Sequence, residues 1–224
     1  MLSTVAQKEN KTTEVKLSTA EKQWIKQHPE TSVGGSPDWT PFNFVEENGK
    51  YSGIANDYLI LIAKKTGLEF KISIDQWSNN LKKISDQQID ILPSVYYTEE
   101  RSHYLTYSTP YFEMLDYFFI RDDLHVKTFA DLDGKRVALP EKYAHIELLR
   151  KHFPKINIVT VNTFSDAIEA VLENRADMLY DTYASLSYTL KQEGINTIIP
   201  FKSTRHLGKK SIYFVTRKDL PILS

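Results

Sequence analysis

The sequence predicts an α/β fold made of two blocks that flank an extended segment. Strand-like apolar runs alternate with helical stretches from residue 31 to 92, and the alternation resumes from residue 134 to 216. Between them, the runs at 104–108 and 115–121 are both strand-like and leave no room for a helix. Strands that alternate with helices indicate α/β architecture. The length of 224 residues fits one large or two small units at roughly 150 residues per domain.

The first block begins with a short helix and continues as strand, loop and helix. Ser18-Thr19-Ala20-Glu21 is a capping box, in which the serine oxygen and the glutamate each satisfy a backbone N–H. A brief strand at 31–34 runs into the turn Gly34-Gly35-Ser36-Pro37-Asp38-Trp39. The next helix ends at Gly67 and has an apolar face formed by Ile54, Tyr58, Leu59, Ile62 and Ala63. The remaining elements are a strand at 69–74, a helix that carries Leu81 and Ile84, and a buried strand at 89–92.

The second block repeats this alternation. Its most regular helix starts at Thr163-Phe164-Ser165-Asp166 and places Phe164, Ala167, Ile168, Val171 and Leu172 on one face. The other predicted elements are strands at 134–139, 156–161, 177–180, 197–200 and 211–216, and helices at 146–153 and 182–192.

Composition excludes several classes of protein. The 28 Lys and Arg residues nearly balance the 29 Asp and Glu residues, so no basic excess favours nucleic acid or an anionic membrane. The absence of cysteine excludes disulfides, cysteine-based zinc sites and thiol nucleophiles. No apolar run reaches the roughly 18 residues of a membrane span. The sequence therefore predicts no nucleic-acid partner and no membrane insertion.

The motifs of common enzymes are also missing. No Gly-x-Ser-x-Gly elbow, phosphate-binding loop or dinucleotide fingerprint occurs. None of the six histidines pairs with another at the i, i+4 spacing of a helical metal site. We expect no metal and no cofactor.

The strongest binding signal is Thr98-Glu99-Glu100-Arg101, which follows a buried strand. An arginine just beyond the carboxyl end of a strand lies where α/β folds bind ligands, and its planar fork suits a carboxylate. The alternative is a surface salt bridge between Arg101 and Glu99 or Glu100. Asp38, Trp39 and Phe42 follow the first strand in the same way, and for them the alternative is a turn with ordinary packing.

An ordered set of motifs matches a known family. The set comprises Leu17-Ser18 to Trp24, His28-Pro29, Asp38-Trp39-x-Pro41-Phe42, Gly49-x-x-x-Gly53-Ile54-x-x-Asp57-Tyr58, Trp77, Asp90, Thr98-x-x-Arg101, Pro110-Tyr111, Asp131-Leu132-x-Gly134-Lys135-x-Val137 and Ala176-Asp177. Over about residues 17–223 the chain resembles the bacterial extracellular solute-binding proteins of family 3. Within that family it is most similar to the periplasmic Venus-flytrap domains of BvgS-type sensor kinases and of diguanylate cyclases.

The resemblance implies a two-lobed periplasmic-binding-protein-like (type II) fold with two extended crossover strands. Lobe one would span 17–114 and lobe two 122–210, with 115–121 crossing out and 211–224 crossing back into the start of a truncated C-terminal helix. Residues 1–16 would be a disordered or artificial leader, the signal peptide being absent.

The resemblance also implies a ligand site between the lobes, in which Arg101 grips a carboxylate. In amino-acid-binding members an aspartate holds the ligand ammonium, and the matching count lands on Thr182, with the carboxylate one step earlier at Asp181. The expected ligand is therefore carboxylate-bearing and amino-acid-like but not an ordinary α-amino acid. The predicted site residues are Asp38, Trp39, Phe42, Ser94, Tyr96, Arg101, Tyr111, Tyr143, His145, Asp181 and Thr182.

The expected function is a non-catalytic periplasmic domain that binds a small solute and closes on it. Its membrane-embedded partner would be a receptor for which it senses or a transporter to which it delivers. The rival is an enzyme, because relatives of the fold include dehydratases and regulatory lobes of lytic transglycosylases. Catalysis would need an acid/base pair facing the cleft, for which Glu141, His145 and Asp181 are candidates.

Overall fold

The computed structural model describes residues 15–208 and 210–223. In chain order, the first half contains α1 (Thr19–Gln27), β1 (Thr31–Gly35), β2 (Asp38–Trp39), β3 (Asn43–Val45), β4 (Tyr51–Ser52), α2 (Ile54–Thr66), β5 (Phe70–Ile74), α3 (Trp77–Ser85), β6 (Ile91–Tyr96), α4 (Glu99–Ser102), β7 (Leu105–Tyr107) and β8 (Phe112–Met114). The second half contains β9 (Asp116–Arg121), β10 (Arg136–Pro140), α5 (Ala144–His152), β11 (Asn157–Val161), α6 (Phe164–Leu172), β12 (Met178–Thr182), α7 (Tyr183–Gln192), β13 (Ile198–Ser203) and β14 (Lys210–Arg217). The predicted leader falls mostly on residues 1–14, which lie outside the described residues.

Two sheets define two lobes. Lobe one is built on a six-stranded sheet in the order β5-β1-β6-β14-β7, with β8 paired to β14. Lobe two is built on a five-stranded sheet in the order β11-β10-β12-β9-β13. In each, parallel strands lie next to one antiparallel strand: β14 in lobe one, which follows lobe two in the chain, and β9 in lobe two, which is the first strand of that lobe. The predicted α/β two-lobed fold is confirmed.

The predicted crossover segments are themselves parts of the two sheets. Of residues 115–121, all but the first form β9, and residues 211–216 belong to β14. The chain therefore passes between the lobes at two short stretches, after Met114 and after Ser203. Residues 221–223 form one turn of 3-10 helix at the predicted start of the C-terminal helix, and Ser224 lies outside the described residues.

Helix boundaries follow the capping signals. Ser18 and Glu21 form the predicted capping box of α1, with the Ser18 N–H donating to Glu21 Oε2 over 2.6 Å. Thr163 caps α6 in the same manner, and Gly67 ends α2 in the left-handed conformation. Local hydrogen bonding thus sets the ends of these helices.

A small three-stranded sheet, β2-β3-β4, was not predicted. It projects from lobe one after β1 and carries Trp39 toward lobe two, where Trp39 belongs to an apolar cluster that both lobes share. Met114 and Ile212 join the cluster from lobe one, and Phe164 and Leu186 join it from lobe two. The cluster therefore lies where the two lobes meet.

Gly53 lies between the last strand of the small sheet and the start of α2. Gly53 has a φ of 114°, and a methyl group added there would lie 2.5 Å from the carbonyl oxygen of Phe42. Gly49 also has a positive φ, 82°, but a methyl group there would meet no atom within 4 Å. Both glycines thus have a positive φ, but only Gly53 lacks room for a side chain.

We expect Gly53→Ala to lower the free energy of unfolding by roughly 3 kcal/mol, because backbone strain and a backbone clash add. Gly49→Ala, the matched control, should cost about 1 kcal/mol from strain alone. Urea unfolding measures both values. Equal losses in the two variants would show that the contact with Phe42 does not constrain the loop.

Candidate functional site

A small cavity of about 40 Å³ lies between the lobes. The predicted site residues on its wall are Asp38, Trp39, Ser94, Tyr96, Arg101, Tyr143 and His145. Further lining residues that were not predicted include Gln76, Trp77, Asn162, Thr163 and Phe164. Asn162 and Thr163 follow β11, whose carboxyl end meets that of its parallel neighbour β10 at one sheet edge. That edge is where ligands bind in such sheets, so strand order was the signal that could have found them.

Arg101 is buried where the two lobes meet, with 5% of its surface exposed. It lies on α4, one short turn after β6, and the Thr98 hydroxyl accepts a hydrogen bond from its backbone N–H. Its guanidinium donates through Nη1 to the carbonyl of Tyr96 over 3.1 Å and through Nη2 to the carbonyl of Lys142. Burial lowers the pKa of Arg101 from its ordinary value. The guanidinium thus bonds to carbonyls of both lobes and not to Glu99 or Glu100.

The carbonyl of Lys142 has a second donor from lobe one. The indole Nε1 of Trp77 donates to it over 3.2 Å, and the Trp77 ring lies 5.2 Å from the Arg101 guanidinium carbon. Lys142 has a φ of 62°, unusual for a residue with a side chain. We call the contact of this carbonyl with Arg101 and Trp77 the Lys142 bridge.

Trp39 makes another contact across the cleft. Its Nε1 donates to Asp181 Oδ1 over 3.4 Å, and its ring packs on Phe42 with centroids 4.8 Å apart. Phe42 is fully buried beneath it and does not line the cavity. Trp39 thus covers Asp181 from the side of lobe one.

The other predicted site residues lie behind the cavity wall. Tyr111 bonds to the Ser94 hydroxyl and donates to the carbonyl of Pro93, 2.8 Å away. Thr182 is buried at the start of α7, and its N–H donates to Asp181 Oδ1 over 2.6 Å. Their predicted ligand roles remain predictions.

Asp116, next to the cavity, is a further residue that the sequence did not single out. It is the first residue of β9, is 3% exposed, and accepts a hydrogen bond from the Tyr96 hydroxyl over 2.9 Å. Nε2 of His145 lies 3.3 Å from Asp116 Oδ2 without hydrogen-bond alignment. Since Tyr96 belongs to lobe one and His145 to lobe two, Asp116 joins the lobes at the crossing point.

Burial shifts the titration of this cluster. It raises the pKa of Asp181 to about 6, against the opposing effects of His145 and the Thr182 N–H. For His145, burial alone would lower the pKa, but Asp116 and Asp181 outweigh it and the pKa is raised. Oδ2 of Asp181 accepts no hydrogen bond within the described part of the chain. The folded protein therefore holds protons here more tightly than the unfolded chain does.

Because both pKa values are raised in the folded state, the associated stability is present at low pH and is lost as pH rises. We expect the free energy of unfolding to fall by on the order of 2 kcal/mol between about pH 4 and 6 from Asp181 alone. Asp181→Asn should flatten that interval, while exposed Glu47→Gln should not. Urea unfolding across the pH series measures this, and an unchanged slope in Asp181→Asn would assign the proton to another group.

Comparison with known proteins places the chain in a family. The family model of bacterial extracellular solute-binding proteins, family 3, matches residues 31–186. The chain belongs to this family. Membership agrees with the two lobes, the cavity between them and the buried arginine at its edge.

Individual members resemble the chain to different extents. The virulence sensor protein BvgS of Bordetella pertussis (strain Tohama I) is 30% identical over 173 residues, which are 76% of this chain and 14% of that protein. The crystal structure of the B. pertussis BvgS periplasmic domain superposes with a TM-score of 0.84 at 26% identity, covering 92% of this chain and 40% of that one. Holo ArgBP from T. maritima gives a TM-score of 0.77 at 26% identity and covers 90% of this chain and 88% of that one.

No helix within 15–208 and 210–223 is long and apolar enough to cross a membrane. Over the same residues, no group of three His, Cys, Asp or Glu side chains is placed to hold a metal ion.

Proposed function

We propose that this chain is a periplasmic domain that binds a small carboxylate-bearing, amino-acid-like solute and closes around it, as the sensor part of a transmembrane signalling protein. Buried Arg101, at the edge of a cavity lined by aromatic rings from both lobes, carries this proposal. A guanidinium with its charge removed from water is suited to an anionic partner. A ligand that touches both lobes favours their closed arrangement in proportion to its differential affinity.

The sensor role is supported by the similarity to BvgS, of which the chain spans 14%. Delivery to a membrane transporter is the second candidate, and the similarity to the ABC transporter arginine-binding protein 1 of Escherichia coli (strain K12), which is 23% identical over 71% of this chain and 66% of that protein, favours it. The full coding sequence separates the two. A membrane span followed by signalling modules supports the sensor, whereas a gene that encodes one binding domain beside transporter subunits supports delivery.

We propose further that the domain is not an enzyme. Of the three candidate acid/base groups, His145 lines the cavity, Glu141 is exposed on a neighbouring groove, and Asp181 lies behind Trp39. General acid–base catalysis needs two such groups within reach of one substrate. Chemical conversion of a bound solute by the purified protein would contradict the proposal.

We expect Arg101→Ala to lose most of the affinity for the solute, because a charge-assisted bidentate contact contributes about 1.5 to 3 kcal/mol. Arg101→Lys should recover affinity only in part, since lysine keeps the charge but lacks the fork. Mass spectrometry of material that co-purifies identifies the solute, and calorimetry gives the affinities. Arg150→Ala is the matched control, because that arginine is exposed and lies outside the cavity. Unchanged affinity in Arg101→Ala would exclude the clamp.

We expect common α-amino acids to stabilise the protein weakly and small carboxylates without an ammonium group to do better. An ammonium held by Asp181 would have to displace Trp39, which covers this aspartate; Oδ1 already accepts from Trp39 and Thr182, and Oδ2 is buried outside the cavity. A true ligand at one hundred times its dissociation constant adds about 2.7 kcal/mol of stability, which thermal unfolding detects. A micromolar amino acid whose binding depends on Asp181 would overturn this expectation.

A further inference from the structure

Asp38 of lobe one places its carboxylate on the first turn of a helix in lobe two. The backbone N–H of Ser165 donates to Asp38 Oδ2 over 3.2 Å, and the Ser165 hydroxyl lies 3.5 Å from the same oxygen. The backbone N–H of Phe164 is close enough to lower the pKa of the same carboxylate. Phe164 and Ser165 begin α6, whereas Asp38 belongs to β2, so the bond from Ser165 crosses the cleft.

The helix already has its own cap. The Asp166 N–H donates to the Thr163 hydroxyl over 3.0 Å, and the Thr163 N–H donates to Asp166 over 3.0 Å. A helix leaves its first N–H groups without partners inside the helix, and Thr163 satisfies only one of them. The N–H groups of Phe164 and Ser165 remain for a partner from outside, and Asp38 is that partner.

The interaction requires the carboxylate of Asp38 to leave water, which happens only when the lobes are together. Burial raises the pKa of Asp38, while the N–H groups of Ser165 and Phe164 lower it and nearby Asp166 raises it again. The charge thus leaves water for a helix end, whose partial positive charge suits an anion. When the lobes part, the carboxylate returns to water and the two N–H groups lose their acceptor.

We propose that Asp38 is a built-in carboxylate ligand of lobe two, which occupies the start of α6 and holds the lobes together. It takes the position that a small anion would take at this helix end. The inference rests on contacts within the chain and does not depend on the solute of the proposed function.

The test measures the distance between the lobes. The chain contains no cysteine, so Lys64→Cys on α2 and Lys191→Cys on α7, both exposed, accept a pair of spin or fluorescent labels. In this labelled background, Asp38→Ala should lengthen the distance and lower the ratio of closed to open molecules about three- to tenfold. Formate should restore the short distance, because it supplies the missing carboxylate, whereas chloride at equal ionic strength should not.

Matched variants make the outcome specific. Asp166→Ala breaks the internal cap of α6 and removes a carboxylate that repels Asp38, so it should lower stability without lengthening the distance between the lobes. Asp38→Asn keeps the shape and one acceptor oxygen, and an intermediate distance is expected even if Asp38→Ala fails to fold. Unchanged distances in both Asp38 variants, or equal recovery with formate and chloride, would overturn the proposal. Formate is itself a small carboxylate, so formate added to the labelled protein with Asp38 intact is the control for binding at Arg101. The distances measured without formate test Asp38 alone, and their failure leaves the proposed function untouched.

Discussion

The burial of charged side chains where the two lobes meet is the main constraint on how the lobes are arranged. Arg101 and Asp116 are both nearly fully buried there, and each has partners on either side of the cleft. A buried charge that loses its partner costs several kcal/mol. The lobes are therefore coupled through their polar groups, and each rearrangement of the cleft must supply a new partner or water. The apolar cluster that contains Trp39 adds attraction without direction, whereas these polar contacts define the relative orientation.

The Lys142 bridge shows how a binding group and a closing contact coincide. Arg101 is the group proposed to hold a solute carboxylate, yet in this arrangement it donates to a backbone carbonyl of the opposite lobe. A carboxylate and a carbonyl present similar acceptor oxygens to a guanidinium. A solute that accepts from Nη2 of Arg101 would displace the carbonyl of Lys142 and oppose closure. A solute that accepts from the other N–H groups of Arg101 would leave the Lys142 bridge in place and favour closure.

Repeating local signals were readable from the sequence, and contacts across the cleft were not. The start of α6 followed from Thr163 and Asp166, and the end of α2 followed from Gly67, because caps act within one turn. The strands β2 and β4 contain two residues each, too few for any periodicity to register. The Lys142 bridge uses a main-chain oxygen, which no side-chain pattern reveals. The role of Asp116 could not be predicted, because a single carboxylate at the start of an apolar strand is typical of an ordinary strand end.

The path of the chain has a consequence for its folding. Lobe two is formed by one continuous stretch, from β9 to β13, whereas the sheet of lobe one is completed by β14, which inserts between β6 and β7. Lobe two can therefore form from a single segment, but the sheet of lobe one needs strands from both sides of that segment. Until β14 is in place, the edge of β6 is unpaired, and an unpaired edge is open to pairing with other chains. Lobe two is in effect an insertion within lobe one, and β14 joins β6 to β7 in the lobe that the insertion interrupts.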